Sequence, residues 1–289
     1  MSTQEKTLRR RTPFQRMRGT FVRNRVAVVG LILIVIIIVF SASAPYIASK
    51  SPLEQHPSGR LRPASPEYIL GQDTAGRDIF SRLLHAGHIS LLVGMCSVLL
   101  GGSIGTMLGL VAGYSRGRLE NVIMRTVDVM MAFPSLLLGI TVLAVLGSGM
   151  DKMILAIGIM LSPAFARVVH GVTLSLNEQE FVEAARAIGA GSPRILRLHI
   201  LPNVLGEILV LGSLEIASAI RIEASLSFIG LGVSPPTPTW GNMIREGTVH
   251  LINAPWLSIY PGLAILITVL AFNLLGDGLR DVFDPRLQQ

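Results

Sequence analysis

Several groups of residues in this 289-residue chain have types and spacings that could support chemistry. Gly101-Gly102-Ser103-Ile104-Gly105 fits the G-x-S-x-G form of a hydrolase nucleophile elbow, where a strand-to-helix turn exposes the serine. His85 and His88, three apart, could set two imidazoles on one metal ion. No third ligand lies near them, so they read as interfacial histidines and no metal site is assigned. Glu207, Glu215, Arg221 and Glu223 interrupt an otherwise apolar stretch. Charges in such a setting are costly and mark a water-filled path or a paired neighbour. Phosphoryl transfer through a P-loop is excluded: Lys6, Lys50 and Lys152 follow Glu, Ser and Asp, and no Gly-Lys pair exists to reach a terminal phosphate. The chain is therefore read as a non-enzyme, and any ATP it uses is hydrolysed elsewhere.

The elements that must carry these residues are membrane spans. Half of the residues are hydrophobic and only 15% are charged; the mean hydropathy is +0.57. A spanning helix needs about 20 predominantly apolar residues. Such stretches run over 26–49, 88–114, 124–146, 153–174, 204–233 and 256–275. Six spans result, the fifth being the least clean because it carries the charges named above. Pro134 is expected to kink the third, with Arg125 and Asp128 near its inner end anchoring packing. Ser103 lies in the middle of the second span, where Gly101, Gly105, Gly109 and Gly113 recur every four residues. That spacing favours close helix packing in lipid over catalysis. Cys96 is the lone cysteine and lies in the same apolar run, so no intrachain disulfide forms.

The basic residues set the orientation. Lys6, Arg9, Arg10, Arg11, Arg16, Arg18, Arg23 and Arg25 face a single acid, Glu5, in the first 25 residues, which places that arm in the cytoplasm. Net charge +7 distributed at span ends is a membrane pattern, not a nucleic-acid face. Six spans return the C-terminal tail, 280–289, to the cytoplasm. Residues 50–87 then lie outside, with a core of five spans over 88–279. Ala42-Ser43-Ala44 offers a signal-peptidase pattern, but the apolar stretch is full span length and Pro45 would follow the cut, so a retained anchor is preferred. Trp240, Trp256 and Tyr260 fit an outer aromatic belt.

Between the fourth and fifth spans, about 177–203, the chain is polar and helix-prone. Asn177 and Glu180 read as an N-cap with a capping-box return. Phe181, Ala184, Ala185 and Ile188 share a face, and Glu183 and Arg186 form an i,i+3 pair. Gly189 and Gly191 break this helix; Ser192 caps a second, with Pro193 first in it. Helices this short need something to pack against. An anionic lipid surface is one candidate.

This loop, Glu183-Ala184-Ala185 with Gly189 and Leu201-Pro202, resembles the Glu-Ala-Ala loop of binding-protein-dependent ABC importer permeases. Other stretches resemble the C-type subunits of the dipeptide, oligopeptide and nickel branch. They are Leu70 to Arg82, Glu223 to Gly232, Pro235 to Met243, and Phe272 through Asp284-Pro285-Arg286. Gln72 stands in place of the family's threonine and His170 in place of an arginine. The resemblance covers about residues 65 to 286. It implies an all-α membrane protein with the type I importer permease fold and a cytoplasmic coupling loop. It further implies a homologous second permease, one or two cytoplasmic ATPases that hold ATP and magnesium, and an external substrate-binding protein. Carried over residue by residue, Glu183 is the polar contact with the ATPase, Ala184 and Ala185 the close-fitting surface, Gly189 the turn, and Leu201-Pro202 the close of the motif. Glu215 and Glu223 are candidates for the translocation path, meeting a substrate ammonium group, or for pairing with Arg221, a neighbouring helix or a partner subunit. The cargo is a di- or oligopeptide or a related small solute; the alternative class is a gradient-driven secondary transporter or channel.

Overall fold

Apolar runs without a β-type alternation leave the helix as the way to satisfy the backbone in lipid, and the described chain is built almost wholly of helices. The computed structural model describes residues 21–283. The basic residues from Lys6 to Arg18 and the terminal Asp284-Pro285-Arg286 lie outside the described residues. The long helices are α1 (Arg25–Ala42), α2 (Ile79–Ser115), α3 (Arg118–Ala132), α4 (Ser135–Leu146) and α5 (Met150–Asn177). They are followed by α6 (Glu180–Ala187), α7 (Leu201–Ile229), α8 (Trp240–Thr248) and α9 (Trp256–Phe283). Five of them are long and apolar enough to cross a membrane; α3 and α4 reach that length only together, bent by 99°.

Helix directions settle how that bent pair counts. In α2, Gly101 meets the Gly158 carbonyl, Gly109 the Ala166 carbonyl and Gly113 Thr173. Numbers rise together, so α2 and α5 are parallel and the chain must recross between Ser115 and Met150. The α3–α4 pair makes that crossing. Gly94 against Ile220 and Gly212 against Val98 set α7 antiparallel to α2. Gly206 against Phe283 sets α9 antiparallel to α7, and Gly30 against Ala271 sets α1 antiparallel to α9. Asn24 caps α1 by accepting from the Val26 and Ala27 amides at 3.1 Å each. Its Nδ2 donates to Asp281 Oδ2 at 2.7 Å, so the start of α1 and the end of α9 share one side. The path comprises six crossings.

Several boundaries differ from the sequence reading for identifiable reasons. The third span is the broken one, while the charged fifth is a continuous helix. Pro134 lacks an N–H, and Phe133 before it adopts an extended conformation, ψ 137°. Helix α2 starts nine residues before the expected span, because Asp78 caps it through the Ser81 amide at 2.9 Å. Helix α9 runs through Gly276-Asp277-Gly278: there Gly276 packs on Leu214 and Gly278 on Ala27, so the glycines serve close approach rather than termination. Trp240 is 3% exposed, with Nε1 donating to the Leu83 carbonyl at 3.1 Å. It belongs to the core among α1, α2, α7 and α9, not to a lipid-facing belt.

Candidate functional site

Helix α6 is eight residues with Glu180 and Glu183 in its first turn and Arg186 in its last, the order that complements the helix dipole. Gln179, not Asn177, is its N-cap. Asn177 ends α5, buried, and its Oδ1 accepts from Arg186 Nη2. Arg186 is thereby drawn toward α5 and also lies over Tyr114, 5.2 Å from the ring centroid, so the expected local pair with Glu183 gives way to contacts across the fold. Arg116, just past α2, adds a pair with Glu178 at 2.9 Å. The loop is therefore seated on the C-terminal ends of α2 and α5. Tyr114, Arg116 and Glu178 were missed by sequence reasoning, since nothing local signals partners more than 60 residues apart.

The face that α6 buries is not the expected one. Val182 and Ala185 pack against Leu110, Ile195, Ile200 and Val204; covering one valine in this way contributes about 1.5–3 kcal/mol. Phe181, Glu183, Ala184 and Ile188 face outward, Ile188 with 86% of its surface exposed. Ala185 is thus part of the seat and Ala184 part of the free surface. Gly189 ends the helix at φ +82°, the left-handed conformation that side-chain-bearing residues resist. The Ala190 amide bonds the Ala185 carbonyl at 3.0 Å and the Gly189 amide the Arg186 carbonyl at 2.9 Å, the paired closure of a Schellman motif.

Beyond the turn, Gly191 is the N-cap and Ser192 already helical, with Pro193 next. This second helix is not a separate short unit. Ser192–Ile195 runs through a π turn, Leu196–Ile200, into α7, giving 38 continuous helical residues to Ile229. Pro202 supplies no amide to this ladder, which accords with the wide turn before it. Leu201 is half-buried and Pro202 exposed at the first turn of α7. The second half of the loop and the charged span are one rod.

Along that rod, Glu215 and Glu223 have different surroundings. Glu223 is wholly buried: Ser90 Oγ donates to it at 3.0 Å and Ser227 Oγ at 2.7 Å, joining α2 to α7. That enclosure ties Glu223 to a neighbouring helix, one of the two alternatives its position in the span allows. Glu215 is half-buried and lines a cavity of about 400 Å³ shared with Ser218 and Arg221 of α7, Met131 and Phe133 at the end of α3, and Ser135 of α4. Arg221 Nη2 donates to Ser218 Oγ at 3.1 Å. The helix break opens onto this cavity. Arg125 is exposed, whereas Asp128 pairs with Arg167 at 2.6 Å and Glu120 with His170 at 2.8 Å, fixing α3 to α5.

The remaining motif residues sit in structural roles. A Cβ on Gly101 would meet the Gly158 carbonyl oxygen at 2.5 Å, on Gly109 the Ala166 oxygen at 2.6 Å, and on Gly113 Thr173 at 2.7 Å; Gly105 lies still closer to the Ser162 carbonyl. Ser103 is mid-helix, its hydroxyl bonded to the Leu99 carbonyl at 2.6 Å, with no strand-to-helix turn. His85 Nδ1 lies 2.9 Å from the Ser81 carbonyl oxygen. Just before the N-terminal end of α2, Asp73 accepts from Arg82 Nη1, from Arg77 Nε at 2.6 Å, and from the Ala75 and Arg77 amides. Both arginines also reach Glu246 of α8, at 3.0 and 2.8 Å. Burial pushes the Asp73 carboxyl up, but the charges of Arg82 and Arg77 and the two amides outweigh it and hold it below its ordinary value. Gln72 is buried beside this knot, its amide donating to the Gly76 carbonyl at 2.8 Å.

Comparisons with known proteins agree on one family. The profile described as "Binding-protein-dependent transport system inner membrane component" matches residues 105–289. That of the "N-terminal TM domain of oligopeptide transport permease C" matches 12–66. A glutathione transport system permease protein of Pectobacterium atrosepticum is 46% identical, over 96% of this chain and 93% of that protein. Its counterpart in Escherichia coli O6:K15:H31 is 45% identical, over 96% and 92%. A dipeptide transport system permease protein of Alkalihalophilus pseudofirmus is 42% identical, over 92% and 88%. Among solved structures, a methionine ABC transporter in inward-facing conformations superposes with TM-score 0.58 at 20% identity, over 70% of this chain and 97% of that one. This last likeness establishes the fold.

Proposed function

The chain belongs to the family of binding-protein-dependent transport system inner membrane components, and from that premise we propose that it forms half of the translocation path of an ABC importer whose ATPase is a separate chain docking on α6. The single observation that carries the proposal is the outward face of Phe181, Glu183, Ala184 and Ile188. That face stands free while Val182 and Ala185 lock the helix to the bundle. A short helix seated on one side and bare on the other transmits a push as a rigid body. Its continuation through Ser192–Ile229 brings that push to the span bearing Glu215. ATP binding by the partner opens the path outward and hydrolysis resets it, a rigid-body switch.

In this reading a homologous second permease completes the path, one or two cytoplasmic ATPases supply ATP and magnesium, and an external binding protein delivers the cargo. The loop and both helix ends lie on the cytoplasmic face, as the basic arm indicates. The cargo is a short peptide or a related solute such as glutathione, the substrates named for the relatives. Glu215 faces the path. The test is reconstitution in vesicles. The chain with its partners is expected to take up cargo only with ATP and loaded binding protein. Uptake by the chain alone in an ion gradient would overturn the reading in favour of a secondary transporter or channel.

A further inference from the structure

We infer that the cavity at the α3–α4 break is a binding station for a short solute carrying a free ammonium group at one end and a free carboxylate at the other. Glu215 receives the ammonium and Arg221 the carboxylate. The inference rests on the permease reading and adds to it the site and the charge pattern of its ligand.

Independent observations converge on this cavity. First, α7 carries both signs of charge inside one span and aims both into the same space. A membrane-embedded charge persists where it faces water or a partner. Ser218 stands between the two on α7, taking a hydrogen bond from Arg221 at 3.1 Å, and no Glu215–Arg221 ion pair forms among the described residues. Second, the facing wall is a helix interruption. Lipid tolerates broken backbone only where it is buried in protein or lines an aqueous cavity, and Phe133 and Ser135, either side of Pro134, line this one. Third, the dimensions match. Six residues of α-helix separate the two Cα atoms by about 9 Å along the axis. An extended peptide of three residues spans about 10 Å. The cavity, about 400 Å³, is in the size range of small-ligand sites. Met130, Met131 and Met160 add flexible thioethers to an otherwise apolar remainder of the wall, side chains that adapt to varied shapes. The arrangement reads the two ends of a solute and leaves its middle unspecified.

The test uses the assembled transporter in vesicles with Cys96→Ser and Ser218→Cys, followed by labelling of the introduced thiol with a small water-soluble thiosulfonate. Ser135→Cys in the same cavity serves if the first variant does not assemble. The probes are trialanine, N-acetyl-trialanine and trialanine amide. Trialanine at twice its dissociation constant should slow labelling about threefold, since the free fraction is 1/(1 + [L]/Kd). Each capped probe should protect about tenfold more weakly, one charge-assisted contact being lost. Glu215→Gln should erase the difference between free and acetylated amine only, and Arg221→Gln that between acid and amide only. No labelling, no protection, equal protection by all three probes, or discrimination that survives both charge removals would overturn the inference. ATP-driven uptake, measured separately on unmodified vesicles, reports on the permease reading, so the two can fail independently.

Discussion

The turn at Gly189 allows a quantitative test of how the α6 loop is built. Its φ of +82° lies where a Cβ crowds the following carbonyl, at about 1–2 kcal/mol for an L-residue. A Cβ built there meets nothing within 4 Å, so sterics with the rest of the fold contribute nothing and the cost is purely that of the backbone. Asparagine tolerates this conformation, alanine tolerates it less, and a β-branched residue least. Gly189→Asn should therefore cost a few tenths of a kcal/mol, Gly189→Ala about 1 kcal/mol, and Gly189→Val about 2 kcal/mol or more. Because the Ala190 amide closes the turn on the Ala185 carbonyl, the loss should appear as local opening. Hydrogen exchange at the Gly189-position and Ala190 amides should quicken about fivefold for alanine and about thirtyfold for valine, from 1 and 2 kcal/mol respectively. Exchange in α2 and α5 should stay unchanged. ATP-driven uptake should follow the same order, Asn above Ala above Val, and Gly189→Asp should uncouple it. Valine behaving like asparagine in exchange would refute the argument, because no strain would then reside in the turn.

Other expectations follow from the same contacts. Gly105→Leu, at the closest point of the α2–α5 seam, should destabilise the detergent-solubilised protein by about 1–3 kcal/mol or more. Gly262→Ala, with open space around its Cβ, should be neutral or stabilise α9 by up to about 1 kcal/mol; thermal unfolding checks both. Asp73 has its carboxyl held below the ordinary value, so its contribution is present above the unfolded pKa of about 4 and lost only as pH falls through the lower folded one. Proteolysis of the 50–78 segment should thus be flat from neutrality down to about pH 4 and rise below it. Asp73→Asn should make that segment labile at all pH values, because the buried Arg82 would keep only Glu246 of its two carboxylate partners. In a Cys96→Ser background, an impermeant maleimide should label Glu67→Cys in intact cells and Arg118→Cys, exposed at the start of α3, only after permeabilisation; the reverse pattern would contradict the orientation.

Spans were legible because lipid demands about 20 apolar residues in a row, a constraint written locally. The Gly101–Gly113 spacing was legible for the same reason: packing between helix backbones requires small residues at one helical period. What was not legible depended on partners distant in sequence. Whether Ala184 or Ala185 is buried depends on Leu110, Ile195 and Ile200, and both alanines look alike along the chain. Asn177 resembles a cap until Arg186 turns back onto it across Tyr114. Pro134 promised a kink, but a 99° break needs α3 to be held against α5 by Glu120–His170 and Asp128–Arg167. Glu215 and Glu223 are eight residues apart on one helix; only the position of Ser90 on α2 shows which is enclosed. The continuity of the loop's second helix with α7 was hidden by Pro202, a common stop signal that here follows the π turn, where the helix absorbs its missing amide.

The central claim, that the free face of α6 seats a separate ATPase, is tested most directly by co-purifying the transporter from membranes with Glu183→Lys or Ile188→Asp in this chain. Both side chains are exposed, so the bundle should unfold at its usual temperature. The account predicts that the ATPase is lost from the purified complex and that ATP-driven uptake disappears with it. Full recovery of the ATPase together with undiminished uptake in both variants would contradict the account.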